Sequence, residues 1–146
     1  MAMRDIQCGA VIALLLVGAA GCGGSGDVDD ARAAADSFMT LRRQGDAEAV
    51  LGRYSPIFFE EQNRADWRAT LASHRDRLGA LREWTITKAV RAGADDAVPG
   101  ASVAIHLTCR YERGQTTEML ILFRPEHSRT WEIVGHTISL PVDADR

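Results

Sequence analysis

Glu118 is the residue whose place in the sequence points most directly to chemistry. It precedes Leu120 and Leu122 at intervals of two, so a strand would place its carboxyl on the same face as these apolar side chains. Loss of solvation there would raise the pKa of the carboxyl, as a general acid or base near neutral pH requires. We therefore expect a raised pKa at Glu118. The alternative is a structural hydrogen bond or ion pair at the rim of the sheet.

His136 is the predicted partner of Glu118. A three-residue loop before the last strand would place the two residues opposite each other as an acid–base dyad, whereas a one-residue slip would turn His136 to the other face. His74 is a second histidine in an apolar pattern, which it shares with Trp67 and Leu71. It is interpreted as either a hydrogen-bonded core residue or a ligand of a pocket.

Motifs for metal, phosphate or acyl chemistry are missing from the sequence. No two histidines or cysteines have a metal-site spacing such as His-x-x-x-His or Cys-x-x-Cys. No serine lies in a Gly-x-Ser-x-Gly context, and the glycines of residues 21–26 follow no strand that would make them a phosphate loop. The sequence therefore predicts neither a metal nor another cofactor.

Cys22 carries the information about location. It follows an uncharged run, residues 8–20, that is shorter than the roughly 20 residues of a membrane-spanning helix. Residues 1–21 are interpreted as an export signal, and the small residues before Cys22 resemble the lipobox of bacterial lipoproteins. The resemblance implies a lipid anchor on Cys22 and, because Gly23 follows the cysteine, sorting to the periplasmic face of the outer membrane. The alternative is secretion with a free Cys22.

The rest of the chain is long enough for one folded domain. Residues 22–26 are interpreted as the lipidated cysteine and a flexible Gly/Ser tether, and residues 27–146 as the domain. The formal net charge is −3 and there is no basic run, which argues against a nucleic-acid partner. Cys109 is the only cysteine within the predicted domain, so no disulfide can form there.

Apolar spacing predicts three helices before any strand. The first is capped by Asp29 or Asp30 and ends at Gly45, with Arg42 and Arg43 in the last turn, where they suit the negative end of the helix dipole. The second begins after residue 46 and ends before residue 56, and the third runs from about residue 66 to residue 78. The buried stripe predicted for the first helix is Ala31, Ala34, Ala35, Phe38 and Leu41.

From Leu81 onward the apolar period changes to two, which predicts four strands in an antiparallel meander. Arg113–Gly114 is the predicted two-residue hairpin loop, a register that places Glu118 opposite Cys109. Three helices on one face of such a sheet define an α+β domain. The inward residues predicted for the first two strands are Trp84, Ile86, Val90, Val103, Ile105, Leu107, Cys109 and Tyr111.

The third helix and the last two strands carry a family resemblance. Residues 131–136, Trp-Glu-Ile-Val-Gly-His, match a closing Trp-x-Ile/Val-x-Gly-Tyr pattern, with His136 in place of the tyrosine. Other matches are Trp67, Leu71, Arg75, Leu78, Gly79, Thr117, Glu118, Leu120 and Leu122. On these residues the chain resembles the nuclear-transport-factor-two-like (cystatin-like) superfamily, and within it a group of uncharacterised bacterial envelope domains. The resemblance implies a cone-shaped pocket between the helices and a curved sheet, with the pocket candidates Tyr54, Trp67, His74, Glu118 and His136.

Three functions follow from these observations. The first is a non-catalytic, lipid-anchored envelope module that binds a small apolar ligand or an envelope protein, and that can form a homodimer through the sheet. The second is a small isomerase or dehydratase, a type hosted by this superfamily, with Glu118 as the base and His136 as its partner. The third is an accessory subunit of a secretion or envelope assembly. A Glu118 side chain reachable from a cavity would favour the enzyme.

Overall fold

Helices precede strands along the chain, as the sequence predicts. A computed structural model describes residues 25–93 and 98–141, so the predicted signal and Cys22 lie outside the described residues. The helices are α1 (Ser25–Gln44), α2 (Ala47–Leu51), α3 (Phe58–Glu61) and α4 (Arg64–Leu78). The strands are β1 (Leu81–Arg91), β2 (Gly100–Tyr111), β3 (Gly114–Pro125) and β4 (Glu132–Ser139). They pair antiparallel in the order β1-β2-β3-β4, which confirms the α+β class and the meander.

The first helix starts earlier than predicted. Asp29 and Asp30 both lie inside α1, so the predicted cap is wrong, and the helix includes the last two residues of the predicted tether. Asp27 in the first turn explains the extension, because its carboxylate pairs with Arg124 on β3 at 2.6 Å and also with Arg91 on β1. These ion pairs fix the start of α1 against the sheet.

Three helices follow α1 in the described residues, whereas the sequence predicts two. Asp46 caps α2 as expected, since its Oδ1 accepts from the N–H of Ala49 at 3.0 Å. The added helix is the single turn α3. The predicted third helix is α4, which begins before Asp66 because Asn63 Oδ1 accepts from the N–H groups of Ala65 and Asp66 at 2.9 and 3.1 Å.

The hairpin between β2 and β3 closes one residue earlier than predicted. Tyr111 pairs with Gly114, so the loop is Glu112–Arg113 and not residues 113–114. Glu118 consequently lies opposite Leu107, and its predicted pairing with Cys109 is wrong. A shift of two residues in the pairing leaves every side chain on its own face. The predicted inward residues of these two strands are all buried: Val103, Ile105, Leu107, Cys109, Tyr111, Glu118, Leu120 and Leu122.

The end of α4 explains the position of the hairpin loop. The N–H of Arg113 donates to the carbonyl oxygen of Leu78 at 2.8 Å, and its Nη2 donates to the carbonyl oxygen of Asp76 at 2.7 Å. Gly114 lies so close to the same helix that an added Cβ would be 2.9 Å from Leu78 Cδ2. A larger residue at the start of β3 would therefore displace the side chain of Leu78.

The first strand contains a bulge that a simple alternating pattern does not predict. The pairing of β1 with β2 shifts between Ile86 and Lys88, which leaves Thr87 as an extra residue. Beyond this point Ala89 packs against the core. Val90 is 38% exposed, so its predicted inward orientation is wrong.

The helices cover one face of the sheet, with α1 packed against β1, β2 and β3. The segment after α2 attaches to β4, because the N–H of Ser55 donates to the carbonyl oxygen of Ile133 at 2.9 Å and the N–H of Ile133 donates to that of Arg53 at 3.0 Å. These bonds hold Tyr54 beside β4. Within the two described ranges, no helix is long and apolar enough to cross a membrane.

Candidate functional site

The carboxylate of Glu118 is the centre of a buried polar cluster. Its Oε1 accepts hydrogen bonds from the hydroxyls of Tyr111 and Thr116, both at 2.9 Å. Its Oε2 accepts from Arg42 Nη1 at 2.5 Å and from His136 Nε2 at 2.9 Å. An ionised carboxylate offers about four lone-pair sites. All of them are therefore occupied in this residue, which is 1% exposed. We call these five residues the Glu118 cluster.

Arg42 supplies the charge that balances Glu118, although its place in the last turn of a helix predicts only a role at the helix dipole. Its Nη2 also donates to the Tyr111 hydroxyl at 2.8 Å, and this hydroxyl donates to Glu118. All three contacts among Arg42, Tyr111 and Glu118 involve an ionised group, which makes them stronger than neutral hydrogen bonds. The signal that places this arginine inside the protein is its helical spacing, with buried positions at Ala31, Ala35, Phe38 and Arg42.

The charges around Glu118 overturn its expected pKa. Burial alone would raise the pKa of the carboxyl, but the attraction of Arg42 and the hydrogen bond from His136 bring it well below its usual range. The prediction of a raised pKa is wrong because it includes desolvation and leaves out a buried cation. For Arg42, burial lowers the pKa of the guanidinium, and the charge of Glu118 together with Tyr111 and Tyr54 more than reverses this effect.

His136 joins the cluster through a diagonal contact. Glu118 pairs directly with Ile138, and His136 pairs with Leu120, so the predicted direct pairing is wrong. Residues offset by two positions across a strand pair share a face and remain within reach of long or aromatic side chains. Contact between Glu118 and His136, the basis of the predicted dyad, is therefore present at 2.9 Å with a different register.

The hydroxyl of Tyr54 orients the imidazole of His136. It lies 2.7 Å from Nδ1, so a hydroxyl that donates there leaves the ring proton on Nε2, which donates to Glu118. Burial lowers the pKa of His136, contact with Glu118 opposes this effect, and the balance is a lowered pKa and a neutral ring at pH 7. Burial also raises the pKa of Tyr54. Tyr54, His136 and Glu118 thus form one fixed row of hydrogen bonds.

Aromatic rings enclose this row of hydrogen bonds. The ring of Trp67 on α4 has its centroid 5.4 Å from that of His136 and 6.1 Å from that of Tyr54, with edge-to-face geometry in both pairs. Phe38 on α1 makes similar edge contacts with His136 and Tyr54. These contacts exclude water and fix the imidazole plane.

A cavity of about 180 Å³ lies next to the Glu118 cluster. The ends of α1 and α2, one face of α4, the start of β1 and the end of β2 surround it. Its apolar lining residues are Ala47, Val50, Leu51, Leu71, Ala72 and Leu81. The other lining residues are Arg42, Gly45, Arg68, His74, Arg75, Gly79 and Tyr111.

One of the five predicted pocket residues lines this cavity, and that residue is His74. Tyr54, Glu118 and His136 are connected to it through Arg42 and Tyr111, the two members of the Glu118 cluster that line the cavity. Trp67 packs in the core instead. The sequence pattern therefore identifies inward-facing residues. It does not distinguish residues that line the cavity from residues that pack behind its wall.

His74 has an unusual polar atom. Its Nδ1 is buried and has no hydrogen-bond partner in the part of the chain that the structure describes. Burial lowers the pKa of His74, the charge of Glu118 opposes this, and Arg42 and Arg77 lower it further. The ring is therefore neutral at pH 7. A buried polar atom of this kind usually has a water or ligand partner.

The fold and site define a small α+β domain with a buried ion pair beside a cavity. A family model described as a protein of unknown function (DUF4019) matches residues 34–136, and the chain belongs to this family. No curated protein and no solved structure matches the chain. Membership of a family of unknown function is thus confirmed, and the cystatin-like superfamily and the lipoprotein signal stay predictions. Across residues 25–93 and 98–141, no group of three or more His, Cys, Asp or Glu side chains is placed to hold a metal ion.

Proposed function

We propose that the protein is a non-catalytic, lipid-anchored module of the bacterial envelope that binds a small ligand in the cavity beside the Glu118 cluster. The cavity is the observation that carries the proposal. Its wall is mainly apolar, with a few polar groups from Arg42, His74 and Tyr111, as in sites for small molecules. A cavity of about 150 Å³ with apolar walls is known to bind benzene. The volume of about 180 Å³ therefore suits a ligand built on one ring or a short chain.

The Glu118 cluster supports ligand binding by holding two lining residues in place. Arg42 and Tyr111 each hydrogen-bond both to Glu118 and to each other. Long side chains that are fixed before a ligand arrives lose less conformational entropy on binding. The cluster thus provides a rigid polar end for a mostly apolar cavity.

Acid–base catalysis fits this arrangement less well. A general base needs a free lone pair, access to the substrate and a pKa near the working pH. Glu118 has four hydrogen-bond donors around it, and its pKa is well below its usual range. Both ring nitrogens of His136 are also engaged. An isomerase or dehydratase, the alternative function, would require Glu118 to exchange one of its partners for the substrate.

The proposed location rests on the signal and on Cys22. Since α1 begins at Ser25, only residues 23 and 24 would separate an acylated Cys22 from the domain. A chain spans at most about 3.6 Å per residue, so the start of α1 would be held near the periplasmic face of the outer membrane. The sheet face that the helices leave open would be the binding surface for a partner. The partner would be an envelope protein, a secretion or envelope assembly in which this chain is an accessory subunit, or a second copy of this chain.

The test is binding of toluene, an uncharged probe of suitable size, to the full-length protein in lipid nanodiscs. Methyl NMR signals of Leu51, Leu71 and Leu81, which line the cavity, should shift on addition of toluene. Ala72→Trp narrows the cavity and should abolish these shifts. Ala69→Trp, on the exposed side of the same helix, is the matched control and should preserve them. Absence of the shifts in the unsubstituted protein, or equal shifts in the Ala72→Trp variant, would contradict ligand binding in this cavity.

A further inference from the structure

We propose that the ligand of the cavity is a small organic anion with a compact apolar body, and that Arg75 and His74 hold its carboxylate. This inference rests on the proposed binding function and adds the chemical class of the ligand. It is drawn from the charges that line the cavity, from the packing of Arg75 against Gly45, and from the buried Nδ1 of His74, which has no partner among the described residues.

The charges that line the cavity are all positive. They belong to Arg42, Arg68 and Arg75, and no acidic side chain of the described residues lines it. Arg42 is balanced by Glu118, and Arg68 Nη2 lies 2.6 Å from the carboxylate of Glu48. Arg75 forms no ion pair with an acidic side chain that the structure describes. One guanidinium is therefore left without a counter-charge from the described residues beside an apolar space.

Gly45 explains how the guanidinium of Arg75 comes to lie at the cavity. Gly45 ends α1 with φ of +80° and lines the cavity. A Cβ added there would overlap the guanidinium of Arg75, so this group packs directly against the glycine backbone. A planar guanidinium can donate two parallel hydrogen bonds to one carboxylate.

His74 provides a second polar contact on the same helix. Its buried Nδ1 is without a partner among the described residues, and the ring lines the cavity. In the tautomer with a proton on Nδ1, this atom donates a hydrogen bond to an anionic oxygen. A bound carboxylate would thus give Arg75 a counter-charge and give a buried polar atom a partner, neither of which the described residues supply.

The apolar part of the ligand is limited by Val50, Leu51, Leu71 and Leu81 on the cavity wall. Benzoate combines a carboxylate with a ring of the appropriate size, so we use it as the probe. Benzamide has the same shape without the charge, benzylamine has the opposite charge, and acetate has the charge without the apolar body. These four compounds separate the contribution of charge from that of the ring.

The experiment is calorimetric titration of the full-length protein in nanodiscs with these four probes. Benzoate should bind at least about tenfold more tightly than benzamide or acetate, the change expected for one charge-assisted contact, and benzylamine should bind most weakly. Arg75→Met should remove the preference for benzoate and leave benzamide binding unchanged, while Arg75→Lys should retain part of it. Arg77→Met, two residues along the same helix and outside the cavity lining, is the matched control.

The outcomes separate this inference from the proposed function. Equal affinities for benzoate and benzamide, both lost in Ala72→Trp, would overturn the anionic ligand and support the cavity as a binding site. A preference for benzoate that survives Arg75→Met would overturn the role of Arg75. Failure of toluene and all four probes to bind would overturn both the inference and the proposed function.

Discussion

Replacement of Arg42 by methionine removes the guanidinium that hydrogen-bonds a fully buried carboxylate. The Arg42 side chain is 9% exposed and that of Glu118 is 0% exposed. Removal of one partner from a buried pair costs about 3–5 kcal/mol, because the remaining charge has no compensation. Since a domain is stable by about 5–15 kcal/mol, we expect Arg42→Met to remove a large share of the free energy of unfolding at pH 7. Methionine keeps much of the apolar stem, so the lost charge dominates the effect.

A double variant measures the coupling between the two charges. Glu118→Gln alone leaves the guanidinium of Arg42 buried without its counter-charge and should be destabilising to a similar extent. Arg42→Met combined with Glu118→Gln removes both charges and keeps an amide oxygen that can accept from Tyr111 and Thr116. Its cost should be lower than the sum of the two single costs by about 2–3 kcal/mol.

The assay is urea unfolding of the full-length protein, followed by tryptophan fluorescence. Arg43→Met is the matched control, because it makes the same change one residue along α1. Arg43 is exposed and lies over the ring of Trp84, 5.2 Å from its centroid, a contact that contributes about 0.5–1 kcal/mol. If Arg42→Met cost no more than Arg43→Met, or if the double variant were additive, the buried ion pair would not stabilise the fold through the coupling of its two charges.

Two other predictions concern pH and the membrane. The pKa of His136 is below its ordinary value of 6.5 in the folded protein, so the neutral ring contributes fully to the free energy of unfolding above pH 6.5. As the pH falls below this value, the unfolded chain takes up the proton first. The free energy of unfolding then decreases by at most about 1.4 kcal/mol per pH unit. Urea unfolding between pH 7 and 5 should show a weaker dependence of the free energy of unfolding on pH in His136→Gln than in the unsubstituted protein. His74, whose pKa is also lowered, should account for the dependence that remains. The same dependence in both proteins would contradict the role of His136. Cys22→Ala should abolish labelling with palmitate and release the protein to the periplasm, and continued labelling would refute the lipid anchor.

The faces of the central strands could be predicted from the sequence because they depend only on a period of two. Leu107, Leu120 and Glu118 are inward in both the predicted and the observed register, which differ by two residues. The register itself depends on how the hairpin loop docks on the end of α4, through Arg113 and Leu78. This contact joins parts of the chain that are far apart in sequence, so local periodicity does not contain it.

The balance of charge at the site could not be predicted for a related reason. Desolvation of Glu118 can be inferred from its strand alone, whereas the charge that opposes it most strongly comes from Arg42, 76 residues earlier in the chain. A basic residue in the last turn of a helix is usually explained by the helix dipole. The four-residue interval from Phe38 to Arg42 indicates that Arg42 lies on the inward face of the helix. Its partner can be identified only when the strand that the helix crosses is known.

The composition of the Glu118 cluster indicates a purpose other than maximal stability. Well-packed apolar residues in place of a buried ion pair are often neutral or stabilising, so Arg42 and Glu118 are not required simply to fill the core. Their bonds join α1, β2, β3 and β4 at one point and fix two side chains, Arg42 and Tyr111, at the wall of the cavity. The position of the cluster is thus explained best by the cavity that it borders. By the same reasoning, a variant that keeps the fold without these charges should lose order at the polar end of the cavity before it loses the core.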